Sequence, residues 1–481
     1  MQNNKKNKSD SEKTSGELIR GLSLTAGIMI VAGSMIGSGI FRKPATMAGQ
    51  LLSPELLILV WVIAGMFTFL GALANAEVAS MYDQTGGQYL YFKDMYGDFI
   101  AYTFGWATIA VVLSGSQAAI AYVFAEYVGY FFKFPETSET LRSITLYIPL
   151  VGEIRPLMDL TTKMVAIACI LFITFINYIG VIFGGGVQTV ITFIKIATII
   201  GLGFLLLIFG DGSTANLYNN FELQPELTNN FFALIGLSLA GAFWAYDGWN
   251  NVTYVSGEMK DAKRNVPLSL LWGTLIVIGV YVFINIAYLY LLPINEMKDS
   301  PLVAATAMEK IFGKSGGAII SIAVIISTFG ALNGSILGAA RVQYAMSKTG
   351  LFFNFMGKVH PKFATPHTSI VMTGIWSAIL VMSGTFDTIS DYVVFAAWFF
   401  YMLGALGVII LRKKFPERKR KYKVWGYPFT PIIFILFSAL FLLNTIISDT
   451  ENAMMGFFLI LIGLPIYFYR KYLGKGSEKD I

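Results

Sequence analysis

Two stretches of this chain put backbone chemistry inside long apolar runs. At Gly33-Ser34-Met35-Ile36-Gly37-Ser38-Gly39-Ile40-Phe41 and at Ala240-Gly241-Ala242-Phe243-Trp244-Ala245-Tyr246-Asp247-Gly248-Trp249-Asn250, small and polar residues interrupt what otherwise reads as membrane-crossing helix. A membrane core tolerates non-helical backbone only where protein or a watery cavity satisfies its N–H and C=O groups, so each break marks a binding site. Both lie about a dozen residues into their runs, near the bilayer midplane at ~1.5 Å rise per residue. Helix ends that meet there carry opposed partial charges. The amides of Gly37, Ser38 and Gly39 suit a carboxylate, and the carbonyls around Met35, Trp244 and Asp247 suit an ammonium group. A molecule with both charges, such as an α-amino acid, fits both poles. Glycines also serve close helix packing, but two breaks in inverted register favour a site.

The elements that position these breaks follow from composition. Hydrophobic residues make up 55% of the chain and charged residues 13%, and mean hydropathy is +0.64. This is a multispanning helical membrane protein. Apolar runs at about 22–48, 56–81, 99–131, 162–180, 186–210, 230–257, 268–292, 316–340, 367–385, 391–411, 428–447 and 453–470 give about twelve spans. Five spans separate the starts of the two broken ones, so these enter the membrane from opposite sides. Residues 21–210 (spans 1–5) and 230–411 (spans 6–10) then form an inverted repeat, with spans 11–12 at 425–471 outside it. Thr85 to Phe92 and Pro301 to Phe312 occupy corresponding places in the two halves and read as short interfacial helices.

Basic residues set the orientation. With a cytoplasmic N-terminus, 25 Lys and Arg fall inside and six outside, and both termini are cytoplasmic. The densest run, Arg412 to Lys421, reads as a topology anchor that could also bind anionic headgroups. The Lys-rich residues 1–20 lack the form of a cleavable signal and are expected to be a disordered tail. A second cytoplasmic tail is expected at 472–481. The net charge of +6 therefore implies no nucleic acid.

Inside the spans, Lys195 sits near mid-membrane, where a basic residue costs at least ~2.5–3.5 kcal/mol and needs a partner unless it snorkels to the interface. Asp247, within the second break, either pairs with a cationic side chain of a bound molecule or caps the following half-helix. Trp244 beside the break reads as a gate or as packing. Glu258 and Arg341 end two helices on one face and could pair in one state and separate in another. Glu77 reads as a local anchor, and the single Cys169 as inert packing.

Ile36-Gly37-Ser38-Gly39-Ile40-Phe41, Tyr246-Asp247-Gly248-Trp249-Asn250, Gly257-Glu258-Met259-Lys260 to Pro267, and Ala340-Arg341-Val342-Gln343-Tyr344-Ala345 together resemble the L-type amino acid transporters of the amino acid–polyamine–organocation superfamily. The resemblance covers spans 1 to 10. It implies a leucine-transporter-like 5+5 fold with helices 1 and 6 broken, and alternating access, usually as obligatory sodium-independent exchange. In it, Lys195 matches a lysine that replaces sodium by bridging carbonyls of helix 1 to a hydroxyl on helix 8, here Ser327. Trp244 matches an aromatic that covers the substrate, and Ser116 a small polar residue of the side-chain pocket, to which Asn250 is also assigned. The proline that flanks Ser116 in relatives is absent. An aspartate at position 247 accompanies transport of basic as well as neutral amino acids. Eukaryotic relatives often join a heavy subunit through a cysteine after span 3. Residues 136–163 contain none, so a stand-alone transporter is expected.

Rival classes fit less well. The only histidines, His360 and His367, share one loop, and no Cys/His cluster or HExxH spacing exists, so neither an enzyme, a metal site nor a cofactor is expected. A channel needs a continuous polar stripe. A sensor lacks an attached signalling domain. A proton-coupled amino acid symporter, with Asp247 or Glu77 carrying the proton, is the nearest alternative.

Overall fold

Apolar runs become helices here because, without water, a backbone satisfies its own polar groups only within a helix or a closed barrel. The computed structural model describes residues 20–477 apart from 85, 150, 181–184, 220–229, 349, 351 and 364. The expected N-terminal tail lies outside the described residues except for Arg20. The helices are α1 (Leu24–Met35), α2 (Gly39–Leu51), α3 (Pro54–Ala79), α4 (Gln88–Tyr96), α5 (Asp98–Val128), α6 (Leu160–Tyr178), α7 (Gly185–Phe209) and α8 (Phe231–Tyr246). After a 3-10 segment, Trp249–Glu258, come α9 (Ala262–Leu291), α10 (Val303–Lys348), α11 (His367–Val381), α12 (Phe386–Lys414), α13 (Phe429–Ser448), α14 (Thr450–Leu461) and α15 (Gly463–Ser477). Among the described residues, ten helices are long and apolar enough to cross a membrane, and the bent pair α1–α2 makes an eleventh. The helix α11 is shorter, at 15 residues, or about 22 Å.

Local chemistry sets several boundaries. Ser23 caps α1 by accepting from Ala26 N–H at 3.2 Å, and Ser53 caps α3 with Pro54 at its first turn. Each cap satisfies a donor that the helix leaves free. The short helix expected before span 3 starts at Gln88 and runs to Tyr96. The one before span 8 is the start of α10, set off by Gly313 at φ 61°. The segment between α5 and α6 carries a two-stranded hairpin, β1 (Leu146–Ile148) and β2 (Gly152–Ile154).

The outer helices α7 and α13 turn Phe193, Ile194, Leu440 and Ile447 outward, as a lipid-facing surface requires. The core is built on α1, α3, α8 and α9. Tyr281 of α9, Trp61 of α3 and Tyr246 of α8 pack there, Trp61 edge to face with both tyrosines and the tyrosines tilted on each other, with ring centroids 5.1–5.7 Å apart. This aromatic block stands directly behind both breaks.

The two chain ends of α12 define opposite faces. On the face that carries Arg412 to Lys421, these basic residues staple separate elements together. Glu77 of α3, 1% exposed, pairs with Arg412 at 2.6 Å and Arg420 at 3.2 Å and accepts from Val424 N–H at 2.7 Å. It was expected to be a local anchor. It is an anchor across more than 300 residues, because a buried carboxylate needs charged partners wherever the fold can supply them.

Candidate substrate site

The first break is only three residues long. The helix α1 ends at Met35, Ile36 is its cap, and α2 starts at Gly39, bent by 40°. The second is sharper: α8 runs through Tyr246, and the chain turns at Asp247 and at Gly248, whose φ is 90°. Such a φ strains any residue with a Cβ, which explains the glycine. The following half is 3-10 rather than the α-helix the sequence suggested. Gly248 holds the cap position of this half, and its backbone N–H hydrogen-bonds the Asp247 carboxylate.

The breaks touch each other. A Cβ on Gly39 would lie 2.6 Å from Ala245 Cα and 3.1 Å from Trp244 Cδ1, so Gly39 lets the two backbones meet. Gly37 is different: a Cβ there would meet nothing nearer than Met35 O at 3.9 Å, so the backbone has open space beside it. Among the described residues the N–H groups of Gly37 and Ser38 donate no hydrogen bond. The Ser38 hydroxyl, 2% exposed, has no partner either.

These groups line one cavity of about 260 Å³. Met35, Gly37, Ser38, Gly39, Ser116, Trp244, Asp247 and Asn250 all face it. It continues to Leu22, Glu258 and Arg341 on the basic face. At its other end it stops at Trp244, which meets Phe386 edge to face at 5.8 Å. The expected pair at the basic face is loose, with Arg341 and Glu258 3.5 Å apart and both partly exposed.

The side walls contain groups the sequence did not disclose. The Tyr401 hydroxyl donates to Asp247 Oδ1 at 2.6 Å, and among the described residues no cation pairs with Asp247. Asn250 donates to Gln88 Oε1 at 2.8 Å, so this expected pocket residue is already tied to α4. Within α5, Thr108–Leu113 is a π-helical turn that presents Thr108, Val112 and Leu113 to the cavity. The Trp376 indole donates to its Ala110 carbonyl at 2.8 Å. Single π turns of this kind recur at functional sites.

Two of the expected groups already have partners. The Met35 carbonyl, assigned to an ammonium group, already accepts from Tyr281 at 2.7 Å, and that hydroxyl is also 3.1 Å from Ala245 O. Trp244 O accepts from the Asp247 N–H at 3.2 Å. A carbonyl has two lone pairs, so each keeps one for a guest. Lys195 stands behind the break, outside the cavity lining, with Nζ 3.2 Å from Ile36 O. The expected bridge to Ser327 is incomplete: among the described residues Ser327 Oγ is buried with no partner, and Lys195 bonds helix 1 alone. One of three ammonium donors is thus used.

A family model described as amino acid permease matches residues 22–465. The serine/threonine exchanger SteT of Bacillus subtilis (strain 168) is 31% identical over 94% of this chain and 96% of its own length. The b(0,+)-type amino acid transporter 1 of Homo sapiens is 32% identical over 95% and 89%. The large neutral amino acids transporter small subunit 2 of Oryctolagus cuniculus is 30% identical over 94% and 80%.

Proposed function

The chain belongs to the amino acid permease family, and on that premise we propose that it is a sodium-independent exchanger of L-amino acids, working by alternating access. The substrates are neutral amino acids and, through Asp247, cationic ones. One observation carries this reading: Gly37 and Ser38, whose amides donate no hydrogen bond among the described residues, Met35 and Trp244 at the two breaks, and Asp247 all line a single cavity. The amides would take the substrate carboxylate and the carbonyls its ammonium group, with the side chain directed toward Ser116, Asn250 and Asp247. Trp244 would close the site on one side.

Lys195 supports independence from sodium, since its ammonium already supplies a positive charge to helix 1. We read 21–210 and 230–411 as the inverted repeat, 425–471 as the added pair, both termini as cytoplasmic, and the protein as standing alone in the inner membrane without a disulfide-linked subunit. Serine/threonine exchange by SteT, of which this chain covers 96%, supports exchange here.

Proton coupling is the second reading, because Asp247 is a carboxylate without a cationic partner among the described residues. Glu77 is engaged by Arg412 and Arg420 and lies outside the cavity lining, so it does not favour this reading. Proteoliposomes loaded with one amino acid should take up labelled alanine equally with and without sodium, and only when loaded. Uptake into empty vesicles driven by a pH gradient would replace exchange with symport.

A further inference from the structure

A second cluster of charges lies on the far side of Trp244, outside the cavity. Just after the first break, Lys43 is 1% exposed, with Nζ 2.8 Å from Asp387 Oδ1 and 3.1 Å from Asp391 Oδ1. Its neighbour Arg42 lies 3.3 Å from Glu126 Oε2 and 3.5 Å from Asp387 Oδ2. Both cations sit over the Phe386 ring, at 5.1 and 5.8 Å, and Phe386 is the ring that backs Trp244. The cluster thus ties α2 to α5 and α12 at the point where the cavity ends.

Five charged groups are an odd choice for a permanent joint. A buried ion pair is weak evidence of stability, because apolar packing of similar shape does as well or better. The joint behind the breaks is apolar, the Trp61, Tyr246 and Tyr281 block, whereas the anchor on Glu77 is ionic but is held by arginines from the basic run and does not border Trp244. An interface that must part repeatedly has a different requirement. Charges regain their hydration when the joint opens, which offsets the lost pairs and keeps the open and closed states close in free energy. An apolar seal regains nothing. Among the described residues the opposite face has a single ion pair joining the 3-10 half to α10, Arg341 with Glu258, partly exposed.

We propose that Arg42, Lys43, Glu126, Asp387 and Asp391 form a reversible ionic latch that seals the cavity on the face opposite Arg412 to Lys421. This rests on the alternating-access reading. Loss of Lys43 leaves Asp391 buried without a cation among the described residues, and loss of Asp387 leaves Lys43 and Arg42 with one carboxylate each; either cost falls on the closed state only, so it shifts the population toward opening on this face.

The test replaces Cys169 with Ser, introduces Ser116→Cys in the cavity wall, and measures the labelling rate with a membrane-impermeant thiol reagent. A parallel protein with Tyr147→Cys, on the exposed hairpin beyond α5, reports folding and which face the reagent reaches. From the hairpin face, Lys43→Gln and, separately, Asp387→Asn are expected to speed labelling at the cavity at least about tenfold. Lys43→Arg should stay near the parent rate. Asp387→Asn is nearly isosteric and partly exposed, so it reports on the latch even where the lysine variant folds poorly. Unchanged or slower cavity labelling in variants whose hairpin cysteine reacts normally would overturn the latch. No amino acid is added, so this outcome is separate from failure of exchange, which would appear as lost counter-transport with the latch response intact.

Discussion

Gly37 and Gly39 are two residues apart and carry opposite expectations. A methyl at 39 would sit 2.6 Å from Ala245 Cα, where ordinary contacts begin near 3.4 Å. The two half-helices would have to part by about 0.8 Å, and overpacking of this kind costs about 1–3 kcal/mol. A methyl at 37 meets nothing within ordinary contact except Met35 O at 3.9 Å, so folding should be unaffected. It would instead stand where the substrate carboxylate approaches. Loss of a charge-assisted bond of about 1.5–3 kcal/mol predicts affinity lower by about tenfold to a hundredfold. Thermal unfolding of the detergent-solubilised variants, followed by tryptophan fluorescence, measures the first effect. Binding titration with alanine measures the second. Gly39→Ala should lower the melting temperature, and Gly37→Ala should keep it while losing affinity. Equal melting of both variants, or parental affinity in Gly37→Ala, would refute a site formed by converging breaks.

Other outcomes follow from single contacts. Lys195→Met removes the cation that holds the Ile36 carbonyl, and uptake should fall at least about tenfold; a parental rate would remove Lys195 from the mechanism. Asp247→Asn should abolish competition by arginine while leaving competition by serine, and equal loss of both would make Asp247 structural. Glu77→Gln leaves Arg412 and Arg420 without their buried partner, at a cost of about 3–5 kcal/mol readable in the melting temperature. At Asp94, burial alone would raise the carboxyl, but the bonds from Tyr82 and Arg418 outweigh it and hold the group below its ordinary value. A depressed carboxyl stabilises above its unfolded value and loses that contribution as pH falls through the folded one. Melting curves below about pH 4 should therefore drop less for Asp94→Asn than for the parent.

What could be read in advance was whatever the chain announces locally. The glycine clusters lie within a few residues of both turns, and Lys195, Trp244 and Asp247 stand out because each is costly or bulky at its depth. The partners were hidden because they are distant in sequence. Tyr281 reaches Met35 across 246 positions and Tyr401 reaches Asp247 across 154, and an aromatic in an apolar run carries no mark of its partner. The π turn in α5 likewise lacks a signature, as no proline or glycine occurs within Thr108–Leu113. Arg42 and Lys43 did carry a signal: two cations directly after a mid-membrane break demand counter-charges, and only the fold names Glu126, Asp387 and Asp391.

The isolated parallel bridge between Leu22 and Met259, made by Leu22 N–H to Glu258 O and Lys260 N–H to Leu22 O, each at 3.0 Å, joins the approach to α1 with the end of the 3-10 half. Two segments that are more than 200 residues apart are thereby yoked into one lever. If the chain works by the proposed alternating access, a spin label on each should report a fixed separation throughout turnover, while either label measured against α10 should swing.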